Sequence, residues 1–233
     1  MIDFHSHVLP AIDDGSQSVE ESMEMLRALK RQGVDTVVAT SHFYATHRSP
    51  QSYVQHRDAA FEELKQVLTD DCPRIILGAE VLYFPGISHM DELGSLCIEG
   101  TDLLLLEMPF TTWSEAMIAE VNEMARSHRV QLMMAHIERY YFQQRVSVWD
   151  GFLRKGILMQ SNADFFLPFW EGRKALKLLR EGRIHLLGTD CHNMGDRRPR
   201  MDEAVARIRR SLGDEAIQEI DDLGHHLLSG VLL

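Results

Sequence analysis

The chain has 233 residues, 45% of them hydrophobic, and a formal net charge of -11. That length and apolar content suit one sizeable α/β domain spanning residues 1–233, and the acidity excludes a broad nucleic-acid footprint. Cys72, Cys97 and Cys191 are odd in number and lack zinc-ribbon spacing, so a reducing compartment without a disulfide framework is expected.

Residues 1–10 carry neither a basic region nor a long apolar run, so no signal peptide is expected. Short apolar runs at 1–5, 35–40, 74–81, 103–108, 130–135, 157–161 and 184–189 read as strands. Helical patterns lie between and after them at 19–32, 51–68, 114–127, 144–155, 170–181 and 201–212. Gly33, Gly156 and Gly182 each end a helix just before a strand, as a left-handed residue does at C′. Strict alternation implies a parallel sheet covered by helices, and continuous Val/Ile/Leu/Met runs imply strands buried on both faces. The expected fold is a distorted (β/α)7 TIM-like barrel. The stretch 103–106 is too short to span a bilayer, so no membrane insertion and a cytoplasmic location are expected.

Six of the apolar runs finish in a ligand-type residue: His5 and His7, His42, Glu80, Glu107, His136, and Asp190 with His192. In β/α barrels the C-terminal strand ends form the active-site rim. His5 and His7 are two apart, so extended backbone sends both rings to one face, and Asp190 and His192 repeat the spacing. Imidazole and carboxylate together suit Zn, Mn or Fe, and bridging carboxylates suit clusters of ions. One histidine at a strand end is more often structural than a ligand; six strands that each end this way are a metal site. His47, His56, His89, His128, His185, His225 and His226 lie elsewhere and are read as structural, and Asp3 shares the face of His5 as a weaker candidate behind the ligands.

The stretch from His5-Ser6-His7 to Asp13-Asp14-Gly15 resembles the first motif of the PHP (polymerase and histidinol phosphatase) family. More narrowly, it is similar to the bacterial tyrosine-protein phosphatases linked to capsule and exopolysaccharide synthesis. Thr40-Ser41-His42, Gly78-Ala79-Glu80-Val81, Leu106-Glu107-Met108, Ala135-His136-Ile137-Glu138-Arg139-Tyr140 and Thr189-Asp190-Cys191-His192-Asn193 match the later blocks in order. The resemblance implies a PHP-type barrel with three divalent ions, manganese first, with Fe, Zn, Co or Mg as alternatives. It implies that His5, His7, Glu80 and Asp190 hold one ion, that Glu80 bridges to a second held by Glu107 and His136, and that Asp14, His42 and His192 hold the third. It places Arg139 on phosphate and Arg198 near the substrate. It also implies hydrolysis of phosphotyrosine in a partner protein, a bacterial tyrosine kinase or its targets. Ala11 departs from the pattern, standing where many relatives have Gly; Ile137 replaces a common Pro, and the tail 225–233 matches poorly. The loop 43–52 and that tail are where substrate choice is expected to differ. The oligomeric state has no signature in the sequence.

Metal ions lower the pKa of bound water and neutralise phosphate oxygens, so in-line attack of hydroxide on phosphorus is the expected chemistry, with His42, His136 and Arg139 in the catalytic set. Cys191 to Arg197 also has the Cys-x5-Arg spacing of thiol phosphatases. Its flanking Asp190 and Asp196 would raise the thiol pKa, which disfavours a thiolate nucleophile. A small-molecule phosphatase, such as one for histidinol phosphate, and a non-catalytic metal-binding regulatory module are the alternatives.

Overall fold

The computed structural model describes residues 1–127 and 129–229; His128 and residues 230–233 lie outside them. The apolar runs form parallel strands: β1 (Ile2–Ser6), β2 (Thr36–Ala39), β3 (His42–Phe43), β4 (Arg74–Leu77), β5 (Glu80–Leu82), β6 (Leu103–Glu107), β7 (Gln131–Met134), β8 (Leu158–Asn162) and β9 (Leu186–Gly188). One sheet runs β1-β2-β4 and the other β3-β5-β6-β7-β8-β9. The expected strand 74–81 is thus broken into β4 and β5, and the short β3 follows β2 beyond the expected end at residue 40. The ladder crosses the breaks through the Gly78 N–H to the Ala39 carbonyl (2.9 Å) and the Glu80 N–H to the Ser41 carbonyl (3.1 Å). Beyond the breaks His42 of β3 sits directly opposite Glu80 of β5.

The sheets curl into a barrel because β9 returns to β1. The Asp190 N–H donates to the His5 carbonyl (2.7 Å), and the His7 N–H to the Cys191 carbonyl (2.9 Å). Gly188 permits this approach: a Cβ there would lie 2.4 Å from the Cβ of His5. Ile2, Phe4, Val38, Ile76, Leu103, Leu105, Met133 and Ala135 fill the barrel interior. Glu107 continues the inward series of Leu103 and Leu105 by the two-residue strand period, which brings a carboxylate to the barrel mouth. The other strand faces, with Val37, Ala39, Leu104, Leu106, Leu132 and Met134, pack in the larger cluster shared with the helices.

The covering helices are α1 (Val19–Arg31), α2 (Pro50–Lys65), α3 (Glu115–Ser127), α4 (Val146–Leu153), α5 (Phe169–Arg180), α6 (Met201–Leu212) and α7 (Asp214–Leu227). Helix α1 shows why these segments are helical. The Ser18 hydroxyl caps the N–H of Glu21, acids occupy the first turn and Lys30 and Arg31 the last, and Met25, Leu26 and Leu29 are buried. Gly33, Gly156 and Gly182 all have positive φ, as expected of C′ residues. Helix α7 was not legible in the sequence. Its Gly224 interrupts the apolar pattern but lets the helix close on β1, where a Cβ would come within 2.9 Å of the Phe4 ring. Among the described residues no helix is long and apolar enough to cross a membrane.

Candidate metal centre

The carboxylate of Glu80 is the hub of the barrel mouth. Its Oε2 lies 2.9 Å from His42 Nδ1, 3.2 Å from His5 Nε2 and 3.3 Å from His7 Nε2, and its Oε1 lies 2.7 Å from His136 Nε2. Glu107 Oε1 approaches His136 Nε2 at 3.4 Å. Asp190 Oδ1 lies 3.6 Å from His5 Nε2 and 3.5 Å from His7 Nε2. Asp14 Oδ1 lies 3.4 Å from His42 Nε2 and 3.3 Å from His192 Nε2. All nine residues expected as ligands therefore converge, and of their side chains only that of Asp14 is largely exposed, at 63%.

The donor atoms form three groups: His7, Asp14, His42 and His192; His5, His7 and Asp190; and His42, Glu80 and Glu107. This grouping overlaps the motif-based one but shares His7 and His42 between groups, keeps Glu80 only in the group of Glu107, and leaves out His136, which meets the cage through Glu80 and Glu107. Asp190 and His192 do not repeat the extended geometry of His5 and His7. Asp190 has φ +52° and His136 φ +27°, left-handed values that cost non-glycine residues energy and are retained where a site requires them.

The histidine orientations fit divalent ions. His5 Nδ1 meets Gln160 Oε1 at 3.2 Å, His7 Nδ1 meets Asp13 Oδ2 at 2.8 Å, and His192 Nδ1 meets the Asp190 carbonyl at 3.0 Å. Each partner is an oxygen acceptor, so Nδ1 carries the proton and the Nε2 lone pair faces the centre, the arrangement of a metal-ligating imidazole. His192 Nε2 and His42 Nδ1 are buried without a hydrogen-bond partner, although carboxylate oxygens stand close by and out of alignment. Two electron-pair donors facing each other call for a shared cation. Burial alone would depress the His7 imidazolium, but the Asp13 carboxylate, with help from Glu80, raises it to about 10. Burial is likewise outweighed at His136, where Glu107 and Glu80 raise the ring to about 9. The cavity draws in positive charge.

Asp13, Gln160 and Asn162 support the cage and were missed in the sequence. Asp13 accepts from His7 Nδ1, from the His42 N–H (2.8 Å) and from the Gly15 N–H (2.9 Å), so one carboxylate fixes a ring and the loop beside it. Gln160 Oε1 accepts from both His5 and the His136 N–H (2.6 Å), and Asn162 Nδ2 donates to Asp190 Oδ2 (2.8 Å). Asp3 holds the closure, accepting from the Thr189 N–H (2.8 Å), the Thr189 hydroxyl (2.6 Å) and the His5 N–H (3.2 Å); burial raises its carboxyl to about 6. The adjacency of Asp13 and Asp14 was the available signal: Asp14 joins the donors, while Asp13 backs the His7 ring from its other nitrogen. Asp13→Asn keeps the shape but weakens the acceptor, and it should lower Mn2+ affinity by about 10- to 100-fold. Titration of metal-stripped protein followed by calorimetry checks this.

Two arginines stand at the rim. Arg139 Nη2 donates to Asp190 Oδ2, and Arg197 Nη2 donates to Asp190 Oδ1 at 2.9 Å. Glu138 does not pair with Arg139; it turns inward to the Ser161 hydroxyl (3.1 Å) and the Asn162 N–H (3.2 Å). Arg198 lines the same cleft of about 310 Å³, but its guanidinium is directed to Glu203, 3.7 Å away. On the far side of the cage a second cleft of about 230 Å³ includes His42, Tyr44, His47 and Arg48, which places the 43–52 loop against the site. Cys191 is buried, and burial together with Asp3 pushes its thiol far up, away from the thiolate a nucleophile requires.

Ala11 begins the turn that carries Asp13 and Asp14. It has φ +56°, is exposed, and its N–H donates to the Ser16 carbonyl at 2.8 Å. The loop thus keeps the geometry a glycine would favour, with the strain carried by the methyl group. Ala11→Gly should be stabilising by about 0.5 to 1 kcal/mol, because the strain relieved exceeds the added freedom of the unfolded chain. Chemical denaturation would register it as a raised midpoint at unchanged slope.

The sequence model of the capsular polysaccharide synthesis CpsB/CapC family matches residues 1–222. The chain belongs to this family. It is 28% identical over 225 residues to the tyrosine-protein phosphatase YwqE of Bacillus subtilis, covering 92% of this chain and 86% of that one. It is 28% identical over 236 residues to the tyrosine-protein phosphatase CpsB of Streptococcus agalactiae, covering 94% of each. Among solved structures, one described with YwqE from Bacillus subtilis and CpsB from Streptococcus pneumoniae as metal-dependent tyrosine phosphatases superposes with a TM-score of 0.85. That match has 24% identity and covers 99% of this chain and 95% of the other. A histidinol phosphate phosphatase from Lactococcus lactis, solved with zinc, L-histidinol and phosphate, shares the fold at a TM-score of 0.58 and 13% identity over 92% of this chain and 93% of its own. The barrel expected from the sequence is therefore the one found in this CpsB/CapC member.

Proposed function

We propose that this chain is a metal-dependent protein-tyrosine phosphatase acting in the cytoplasm on a bacterial tyrosine kinase, or its targets, in capsule or exopolysaccharide control. Residues 1–233 act in it as one unit. The observation that carries this reading is the cage of Glu80 and the eight ligand-type residues around it, with two arginines bound to the same carboxylate, Asp190, at its rim. His5, His7, Asp14, His42, Glu80, Glu107, His136, Asp190 and His192 would hold three ions, with Mn2+ suited to the mixed nitrogen and oxygen set. Such ions supply Lewis acidity toward phosphoryl oxygens and a lowered pKa for water.

The chain's own residues do the rest. Asp13 and Gln160 fix the rings of His7 and His5, so the donors are oriented before substrate arrives. Arg139 and Arg197 offer planar N–H donors to phosphoryl oxygens at the edge of the cage. Phe110 is 49% exposed, its ring lies 5.7 Å from that of His136, and the Arg139 guanidinium sits 5.5 Å over it. Tyr44 stacks on His42 at 5.1 Å on the opposite side. Aromatic walls beside the cage suit a phenyl ester. A phenolate leaves readily, so the site needs no strong general acid.

The test compares kcat/KM on a phosphotyrosyl peptide, a phosphoseryl peptide and histidinol phosphate with the Mn2+-loaded protein. The phosphotyrosyl peptide should lead by at least about a hundredfold. A preference for histidinol phosphate would reassign the enzyme to small-molecule metabolism.

A further inference from the structure

The surface beside the arginine rim differs from the rest of this acidic chain. Among the described residues seven large hydrophobic side chains are notably exposed, and four of them, Phe142 (58%), Val146 (59%), Phe169 (63%) and Trp170 (68%), lie on α4, α5 and the turn before α4. Phe169 and Trp170 are in edge contact at 5.0 Å. Arg173 covers the Phe169 ring at 6.0 Å, and Lys174 covers the Phe142 ring at 5.1 Å, so consecutive cations of α5 tie the two aromatic elements together. Helix α5 carries four cations against one acid, Glu171, in a protein of net charge -11. Arg173 and Lys174 make no ion pair among the described residues.

The segments that carry this patch adjoin, along the chain, those that line the cleft beside Arg139. Phe142 follows Arg139 by three residues, and the Gln143 side chain donates to the Arg139 carbonyl at 3.2 Å. The turn Ala163–Phe166, which contributes Asp164 and Phe165 to the cleft beside Arg139, leads directly into α5. A protein substrate whose phosphotyrosine reaches the cage must lay its neighbouring residues across the rim, and this segment offers it exposed apolar area together with two cations that make no ion pair among the described residues.

Building on the phosphatase reading, we propose that Phe142, Phe169, Trp170, Arg173 and Lys174 form a subsite that binds an acidic segment flanking the phosphotyrosine. The aromatic faces take up the peptide's apolar surface, and the two cations pair with its carboxylates. Selectivity for protein over small phenyl phosphates then comes from this subsite, while the cage supplies the chemistry.

The experiment uses the full-length, Mn2+-loaded protein with three substrates: a phosphotyrosyl peptide flanked by Asp and Glu, the same peptide flanked by Lys, and p-nitrophenyl phosphate. The double variants Phe169→Ala/Trp170→Ala and Arg173→Glu/Lys174→Glu should each raise KM for the acidic peptide about tenfold, through lost surface contacts of roughly 1.4 kcal/mol. Their kcat and their rate on p-nitrophenyl phosphate should stay unchanged, and the charge-reversed variant should gain on the Lys-flanked peptide. Trp170 is the single exposed tryptophan, Trp113 and Trp149 being buried at 4% and 1%, so a fluorescence change on peptide binding that is lost in Phe169→Ala/Trp170→Ala reports contact at this patch. Unchanged KM in both variants, with p-nitrophenyl phosphate still hydrolysed, overturns the subsite and leaves the phosphatase reading intact. No hydrolysis of any substrate by the parent protein overturns the phosphatase reading itself. A Trp170 response to phosphatidylserine vesicles and none to the acidic peptide would make the patch a membrane contact and overturn the subsite.

Discussion

Replacing Glu80 with Gln should reduce hydrolysis of a phosphotyrosyl peptide by about a thousandfold or more. Glu80 is the carboxylate toward which His5, His7, His42 and His136 all point. Gln has nearly the same shape but no charge, and its amide NH2 cannot donate electron pairs to an ion. Loss of a carboxylate that would hold an ion would remove several kcal/mol of transition-state stabilisation, and each 1.36 kcal/mol is a factor of ten. Burial by itself would raise the Glu80 carboxyl, yet the surrounding rings, His5 foremost, hold it well below its ordinary value. The carboxylate is therefore ionised throughout the working pH range, and the variant removes a full charge. Metal analysis should find fewer ions per chain than in the parent protein, with the far-ultraviolet circular dichroism unchanged. Parent-level activity and metal content in Glu80→Gln would mean that the cage is not the reaction centre.

Gly188→Ala should disrupt both fold and site. The added methyl group would lie 2.4 Å from the His5 Cβ, 2.9 Å from its N and 2.8 Å from Gln160 Nε2. None of these can step aside cheaply. The His5 backbone is held by the Asp190 N–H at 2.7 Å and by Asp3, and Gln160 orients both His5 and His136. β9 must therefore move off β1, opening the barrel at its closure. Overpacking of this kind costs about 1 to 3 kcal/mol or more, equivalent to a fall in Tm of roughly 2 to 12 °C for a domain of this size. Activity should fall further than stability, because displacing a positioned group by about 1 Å can cost a factor of about a hundred. Thermal unfolding and steady-state rates measured side by side separate the two effects.

The site was legible where chemistry interrupts an apolar run. Glu107 after four leucines, or His136 after Leu132–Ala135, stands out because a buried strand has no other use for a charged or titratable end. Asp13, Gln160 and Asn162 were not legible for the converse reason. An amide inside a strand, or the first of two adjacent acids, is compatible with many environments, and only the rings around it assign its role. Arg197 was hidden in the same way: in sequence it closed a thiol-loop pattern and its neighbour Arg198 drew the substrate role, yet Arg197 is the one that reaches Asp190. The strand positions were readable from hydrophobic runs, but the breaks between β2 and β3 and between β4 and β5 were not. They depend on where the ladder shifts partner, a long-range effect without a local signature. Helix α7 was obscured by Gly224, which serves close packing against Phe4 rather than helix propensity.

The central claim is most directly tested by stripping the protein of metal and measuring phosphotyrosyl peptide hydrolysis before and after adding Mn2+, with Cys191→Ser and His136→Ala measured in parallel. Activity should be absent without metal, return with Mn2+, return unchanged in Cys191→Ser and fail to return in His136→Ala. Activity that survives chelation and disappears in Cys191→Ser would contradict the claim and make the buried thiol the nucleophile.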